Sequence, residues 1–61
     1  MEEEITREIT KIKNIFNENS YNIKEMIFFL EAKTKMAIAL NNEILLEACR
    51  RVTQELKGQE Q

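Results

Sequence analysis

The chain has 61 residues, with nine Lys or Arg residues, eleven acidic residues and a formal net charge of −2. One cysteine and no histidine exclude an intrachain disulfide and a structural zinc site, so we expect no metal and no cofactor. Acidic balance with interspersed charges argues against a general nucleic-acid or membrane-surface binder. Because no apolar run approaches 18 residues, we expect no membrane span. The acidic residues Glu2, Glu3 and Glu4 are the opposite of the basic start of a signal peptide, so we predict a cytoplasmic protein.

The first predicted helix covers residues 3–16. Its apolar side chains recur every three or four positions, which is typical of one helix face: Ile5, Ile9, Ile12 and Phe16. The Asn-rich segment 17–22 predicts a connection, since Asn and Ser side chains compete for backbone hydrogen bonds. Asn22 with Glu25 has the spacing of a capping box, and Ser20 is an alternative cap. With no proline and one glycine in the chain, helices are favoured over turn-rich β structure.

The second predicted helix, residues 22–40, is apolar on two sides. One face holds Ile23, Met26, Ile27, Leu30, Ala37 and Ile38. The other holds Phe28, Phe29, Ala32, Met36, Ala39 and Leu40. A helix with two apolar faces has to be covered on both of them. One neighbouring helix cannot do this, so we expect either a partner on the second face or a monomer in which the first and third helices cover opposite sides.

The pair Asn41–Asn42 could separate two helices or lie on the exposed side of one long helix. We favour a break, because consecutive Asn residues are poor helix formers. The third predicted helix, residues 43–57, has one apolar stripe. It consists of Leu45, Ala48, Cys49, Val52 and Leu56. Glu47 is placed to pair with Arg51, and Gly58 is expected at the C′ position. Residues 1–58 thus form one predicted domain, and residues 59–61 a frayed tail.

The predicted fold is all-α, either an antiparallel helical hairpin or a three-helix bundle. A chain of this length buries only about 60% of its unfolded surface, and small chains usually add disulfides, metals or oligomerisation. Since the first two are excluded, we predict that homodimerisation, as a four- or six-helix bundle, or binding to another protein completes the fold.

A surface for a partner or a second copy is predicted on the second face of the second predicted helix, with Met26 added from its first face. Its residues are Met26, Phe28, Phe29, Ala32, Met36 and Leu40, with Leu46 of the third helix extending it. Met and Phe side chains there are equally compatible with an ordinary core. Cys49 lies on an apolar stripe with no histidine base in the chain, so we interpret it as a core thiol.

The function predicted from these patterns is a small protein–protein interaction module, regulatory, adaptor or chaperone-like, that acts through an apolar helix face. We expect no enzymatic activity, no small-molecule substrate and no membrane partner. The alternative is a nucleic-acid-associated dimeric regulator with a basic strip. That strip would consist of Lys33, Lys35, Arg50 and Arg51, which could instead contact an acidic protein.

Overall fold

The computed structural model describes residues 1–59 of the chain. This part consists of three α-helices joined by two short turns. They are α1 (Glu2–Glu18), α2 (Ile23–Ala39) and α3 (Glu43–Gln59). The predicted all-α class, the three-helix arrangement and the break at Asn41–Asn42 are confirmed. The expected helix end at Gly58 is wrong, because α3 continues through Gly58 to Gln59. Gln59 is therefore helical, and the rest of the predicted tail, residues 60–61, lies outside the described residues.

The turn between α1 and α2 is a Schellman motif followed directly by a helix cap. Ser20 has a positive φ of 51°; its N–H donates to the carbonyl of Asn17, and the N–H of Tyr21 donates to that of Phe16. These two bonds satisfy carbonyls that the helix end would otherwise leave unpaired. Asn22 then accepts from the Glu25 N–H, and the Glu25 carboxylate accepts from the Asn22 N–H, both at 2.9 Å. The predicted capping box is confirmed, and Ser20 ends α1 rather than capping α2.

The turn between α2 and α3 repeats this arrangement in fewer residues. Asn41 has a φ of 54°, and its N–H donates to the carbonyl of Ile38, while the Asn42 N–H donates to that of Ala37. The Asn42 side chain also accepts from the Leu45 N–H at 3.1 Å. Asparagine suits both positions, because it tolerates the left-handed conformation and it is a strong N-cap. Each Asn of the pair therefore has a separate role, one ending α2 and the other starting α3.

α3 is the central helix of the bundle: α1 and α2 each pack mainly against it and contact each other less. The buried core draws on all three helices. It contains Ile5, Ile12 and Phe16 of α1, Leu30 and Ala37 of α2, and Ala48, Cys49, Val52 and Leu56 of α3. Ala48 and Cys49 are fully buried, and these small side chains allow the neighbouring helices to approach closely. The stripes predicted for the first and third helices are thus the ones that pack.

Two adjacent residues of one predicted apolar face of α2 differ in burial. Ala37 is 1% exposed, whereas Ile38 is 60% exposed. Successive residues on a helix point about 100° apart, and α3 covers α2 along the line of Leu30 and Ala37. Ile38 lies beyond the edge of that contact. Ile23, in the first turn, is also only partly covered.

Aromatic side chains close the end of the bundle at the α1–α2 turn. Phe29 packs edge-on against Phe16 with ring centroids 5.6 Å apart. The ring centroid of Tyr21 lies 6.1 Å from that of Phe16 and 6.2 Å from that of Phe29. An edge-to-face pair such as Phe16–Phe29 is favourable beyond the area it buries. Tyr21 follows the left-handed residue of the Schellman motif, so its contact with Phe16 is the hydrophobic contact that usually accompanies that motif.

Candidate interaction surface

The outward side of α2 carries an apolar stripe that no other helix of the described chain covers. We call it the outer stripe: Phe28, Ala32, Met36 and Ala39. Their spacing of four, four and three residues places them along one side of a helix, opposite the buried Leu30. Phe28 is 75% exposed and Met36 is 48% exposed. Leu40, at the end of the same helix, is 67% exposed.

The outer stripe is uncovered because of where α1 packs. A monomer could have covered both faces of α2 if α1 and α3 had lain on opposite sides of it. Instead, α1 packs mainly against α3, and its three buried residues belong to the same core cluster as Leu30. The second apolar face of α2 therefore meets solvent along most of its length.

The structure divides the predicted surface into three groups. Phe28, Ala32, Met36 and Leu40 are exposed. Met26 and Phe29 are half-buried and pack against the core cluster. Leu46 lies elsewhere, in a depression of about 310 Å³ that it shares with Ile38 at the turn between α2 and α3.

A shallow apolar groove lies at the N-terminal end of the outer stripe. It has a volume of about 350 Å³ and is lined by Tyr21, Glu25, Phe28, Phe29 and Ala32. Phe28 forms one wall, while Phe29 connects the groove to the aromatic cluster beneath it. The groove extends the stripe into a concave surface that could hold an apolar side chain of a partner.

Charged residues flank the outer stripe on one side. Glu31 and Lys35 are four positions apart and exposed, so they lie on the same flank of α2. The ion pairs found among residues 1–59 involve neither of them. An apolar strip bordered by charges of both signs is typical of a helix-packing surface that also selects its partner.

The four basic residues of the predicted strip are mostly occupied within the protein. Arg50 donates to Glu47 at 2.6 and 2.9 Å, and Arg51 donates to Glu47 at 2.8 Å. The Lys33 ammonium lies 5.6 Å from the centre of the Phe29 ring, within the range of a cation–π contact. Lys35 alone of the four has neither kind of contact among the described residues.

A cross-helix ion pair that sequence reasoning missed joins Arg51 to Glu2. The guanidinium donates two bonds to the carboxylate, of 2.6 and 2.9 Å. These bonds raise the pKa of Arg51 above its ordinary value and lower the pKa of Glu2 below its ordinary value. Hydrogen bonds from Arg50 and Arg51 lower the pKa of Glu47 to about 2. The predicted Glu47–Arg51 pair is confirmed, whereas no local spacing could have indicated a contact across 49 residues.

Cys49 is fully buried, and burial raises the pKa of its thiol. A thiol with a raised pKa holds little reactive thiolate near neutral pH. The predicted core position of Cys49 is confirmed. Thr53, one turn later, donates to the Cys49 carbonyl at 2.7 Å, which satisfies that hydroxyl locally.

Two kinds of feature are absent from residues 1–59. None of the three helices combines the length and the apolar character needed to cross a membrane. No three His, Cys, Asp or Glu side chains in this part of the chain are grouped so that they could hold a metal ion.

No protein-family model matches the sequence, and comparison with curated proteins and with solved structures found no similar protein.

Proposed function

We propose that the protein is a small protein–protein interaction module, regulatory, adaptor or chaperone-like, that binds through the outer stripe of α2. The observation that carries the proposal is the 75% exposure of Phe28 on a helix whose opposite side is buried. Single exposed apolar residues are common on protein surfaces, whereas a contiguous stripe of them marks interaction sites. Aromatic and Met side chains are enriched at such sites.

The bundle core supports this proposal because it is complete without the stripe. The core cluster is built from the three inward faces, and no side-chain nitrogen or oxygen buried in the described chain lacks a hydrogen-bond partner. Phe28 and Met36 therefore contribute little to holding the helices together. Their position on the surface is accounted for by a partner that covers them.

The alternative function, a nucleic-acid-associated regulator, has less support. Its strip would use Lys33, Lys35, Arg50 and Arg51, and three of these have partners inside the protein. Phosphate binding would have to compete with those contacts. A mobility-shift assay with duplex DNA and with RNA across a salt series tests it: retardation at low salt that weakens as salt rises would favour this function over ours.

We also propose a cytoplasmic location. The support for this location is the buried thiol of Cys49, which is free. Free thiols are typical of proteins in a reducing compartment.

Photo-crosslinking in the native host tests the interaction function. A benzophenone amino acid replaces Phe28, where it keeps an aromatic ring, and in a matched control it replaces Gln54, an exposed residue of α3. We expect crosslinked protein products at position 28, and their loss when Met36→Glu is added. No product at position 28, or the same products at both positions, would contradict the proposal.

A further inference from the structure

We propose that the occupant of the outer stripe is the same stripe of a second copy, packed antiparallel. The twofold axis that relates the two copies lies at the level of residues 33–34 along α2. This inference rests on the proposed function of the stripe and names its partner. Two features of α2 support it: the order of large and small residues along the stripe, and the positions of two opposite charges beside it. Both features indicate the same axis.

The first feature is that large side chains of one copy meet small side chains of the other. In an antiparallel pair with this axis, Phe28 is level with Ala39 of the second copy. Met36 comes within one residue, about 1.5 Å along the helix, of Ala32 of the second copy. Twofold symmetry makes each contact occur twice. Alternation of large and small residues across facing positions lets two helices interdigitate, and all four residues are exposed in the monomer.

The second feature is charge complementarity on one flank. An antiparallel twofold axis brings each flank of α2 against the same flank of the second copy. Glu31 then comes within one residue of being level with Lys35 of the second copy, and symmetry gives two such pairs. Interhelical Glu–Lys pairs beside an apolar contact set the orientation of paired helices.

A parallel pair would lose both features. It would place Phe28 beside Phe28 and Ala32 beside Ala32, so large residues would meet large ones. The flank with Glu31 and Lys35 would face the opposite flank of the second copy, where the half-buried Phe29 and Lys33 lie. Only the antiparallel arrangement pairs Glu31 with Lys35 between copies.

A charge-exchange experiment tests this arrangement. We call the contact between residue 31 of one copy and residue 35 of the other a cross pair. In a homodimer, Glu31→Lys alone places two lysines at each cross pair, and Lys35→Glu alone places two glutamates there. We expect each variant to dimerise at least about tenfold more weakly than the wild type. An equimolar mixture satisfies both cross pairs in a heterodimer, so we expect it to regain the wild-type association. Sedimentation equilibrium reports this as a weight-average mass that rises from 7.2 kDa towards twice that value.

Two controls complete the experiment. Glu3→Lys makes the same charge change on α1, away from the stripe, and is expected to leave association unchanged. The chain with both exchanges restores the cross pairs within a homodimer, and is expected to associate like the wild type. Circular dichroism of each variant confirms that the helices are retained.

The outcomes separate this inference from the proposed function. A wild type that stays monomeric at millimolar concentration overturns the second copy as occupant, while crosslinks from position 28 to another protein would still support the interaction function. A dimeric wild type whose two variants fail to associate on mixing overturns the antiparallel pairing. Restoration by mixing, with no effect of Glu3→Lys, supports the inference.

Discussion

The Arg51 guanidinium and the Glu2 carboxylate form a two-bond ion pair that joins the first turn of α1 to the middle of α3. Arg51 also donates to Glu47 on its own helix, so one cation links two carboxylates. Its side chain is 34% exposed and that of Glu2 is 70% exposed. Solvent therefore screens the pair, and we expect its main role to be fixing the position of α1 on α3 rather than large stabilisation.

A double-mutant cycle tests this role. Glu2→Gln and Arg51→Gln are each expected to lower the melting temperature by a small amount, and the two effects are expected to be less than additive, because both remove the same two-bond contact. Raising the salt concentration should reduce the difference between wild type and variants. Glu3→Gln, one position along and without an ion pair among the described residues, is the control. Fully additive effects would show that the two side chains do not interact in solution.

Acid should weaken the fold through Glu47. Its pKa is lowered from 4.5 to about 2 by hydrogen bonds from Arg50 and Arg51, and the pKa of Glu2 is lowered as well, first by its bond from Arg51. A carboxylate whose pKa is lower in the folded state stabilises the fold fully above its unfolded pKa. That contribution is lost as the pH falls from about 4.5 to about 2.

We therefore expect the urea midpoint of the wild type to fall across this pH range, and to fall less steeply in Glu47→Gln. Glu18→Gln is the control, since Glu18 takes part in none of the ion pairs found in the described chain. Parallel profiles for the wild type and Glu47→Gln would contradict the ion-pair network.

Ser20 offers a stabilising substitution. Its φ of 51° is a left-handed conformation that costs most residues roughly 1–2 kcal/mol and costs glycine nothing comparable. Allowing for the greater flexibility of glycine in the unfolded chain, we expect Ser20→Gly to increase the free energy of unfolding by about 0.5–1 kcal/mol. Chemical denaturation measures the change.

Asn14→Gly is the matched control for that substitution, because it introduces the same flexibility inside α1 at an exposed helical position. It should destabilise by roughly 0.3–0.5 kcal/mol, because Asn is already a poor helix former. Asn41→Gly, at the other left-handed position, should change stability by less than Ser20→Gly, since Asn already tolerates this conformation. Equal destabilisation by Ser20→Gly and Asn14→Gly would argue against the Schellman turn.

The turns and the stripes of α1 and α3 could be predicted from sequence because they depend on local chemistry. The Asn22–Glu25 capping box and the Glu47–Arg51 ion pair each join residues within about one helical turn. The break at Asn41–Asn42 likewise depends on these two adjacent residues. The exposure of Ile38 and the Arg51–Glu2 pair could not be predicted, because both depend on how the helices pack.

The two apolar faces of α2 show the same limit. Sequence indicated both faces, but the choice between them follows from the side on which α3 lies and from the absence of α1 on the other side. Phe28 and Phe29 were assigned to the same surface, since nothing local distinguishes two adjacent phenylalanines. The bundle separates them by directing one ring inward and leaving the other in solvent.

Replacing each of these two phenylalanines in turn is the most direct test of that separation. Phe29 contacts Phe16 and Tyr21, so Phe29→Ala removes an aromatic contact and leaves a gap at the end of the core. Because Phe29 is only half-buried, we expect a loss of about 2–3 kcal/mol, below the range for fully buried aromatic residues. Phe28 is 75% exposed, and Phe28→Ala should change the stability of the monomer by less than about 0.5 kcal/mol.

Association should respond in the opposite order. At low micromolar concentration, urea denaturation reports the stability of the monomer, and Phe29→Ala is the variant that loses it. At several hundred micromolar, sedimentation equilibrium reports self-association, and Phe28→Ala is the variant that loses it while its helicity is retained. If both substitutions destabilise the monomer equally, Phe28 belongs to the core and the outer stripe is not a separate surface. If neither alters association, the stripe does not bind a second copy, because its largest side chain would then be dispensable.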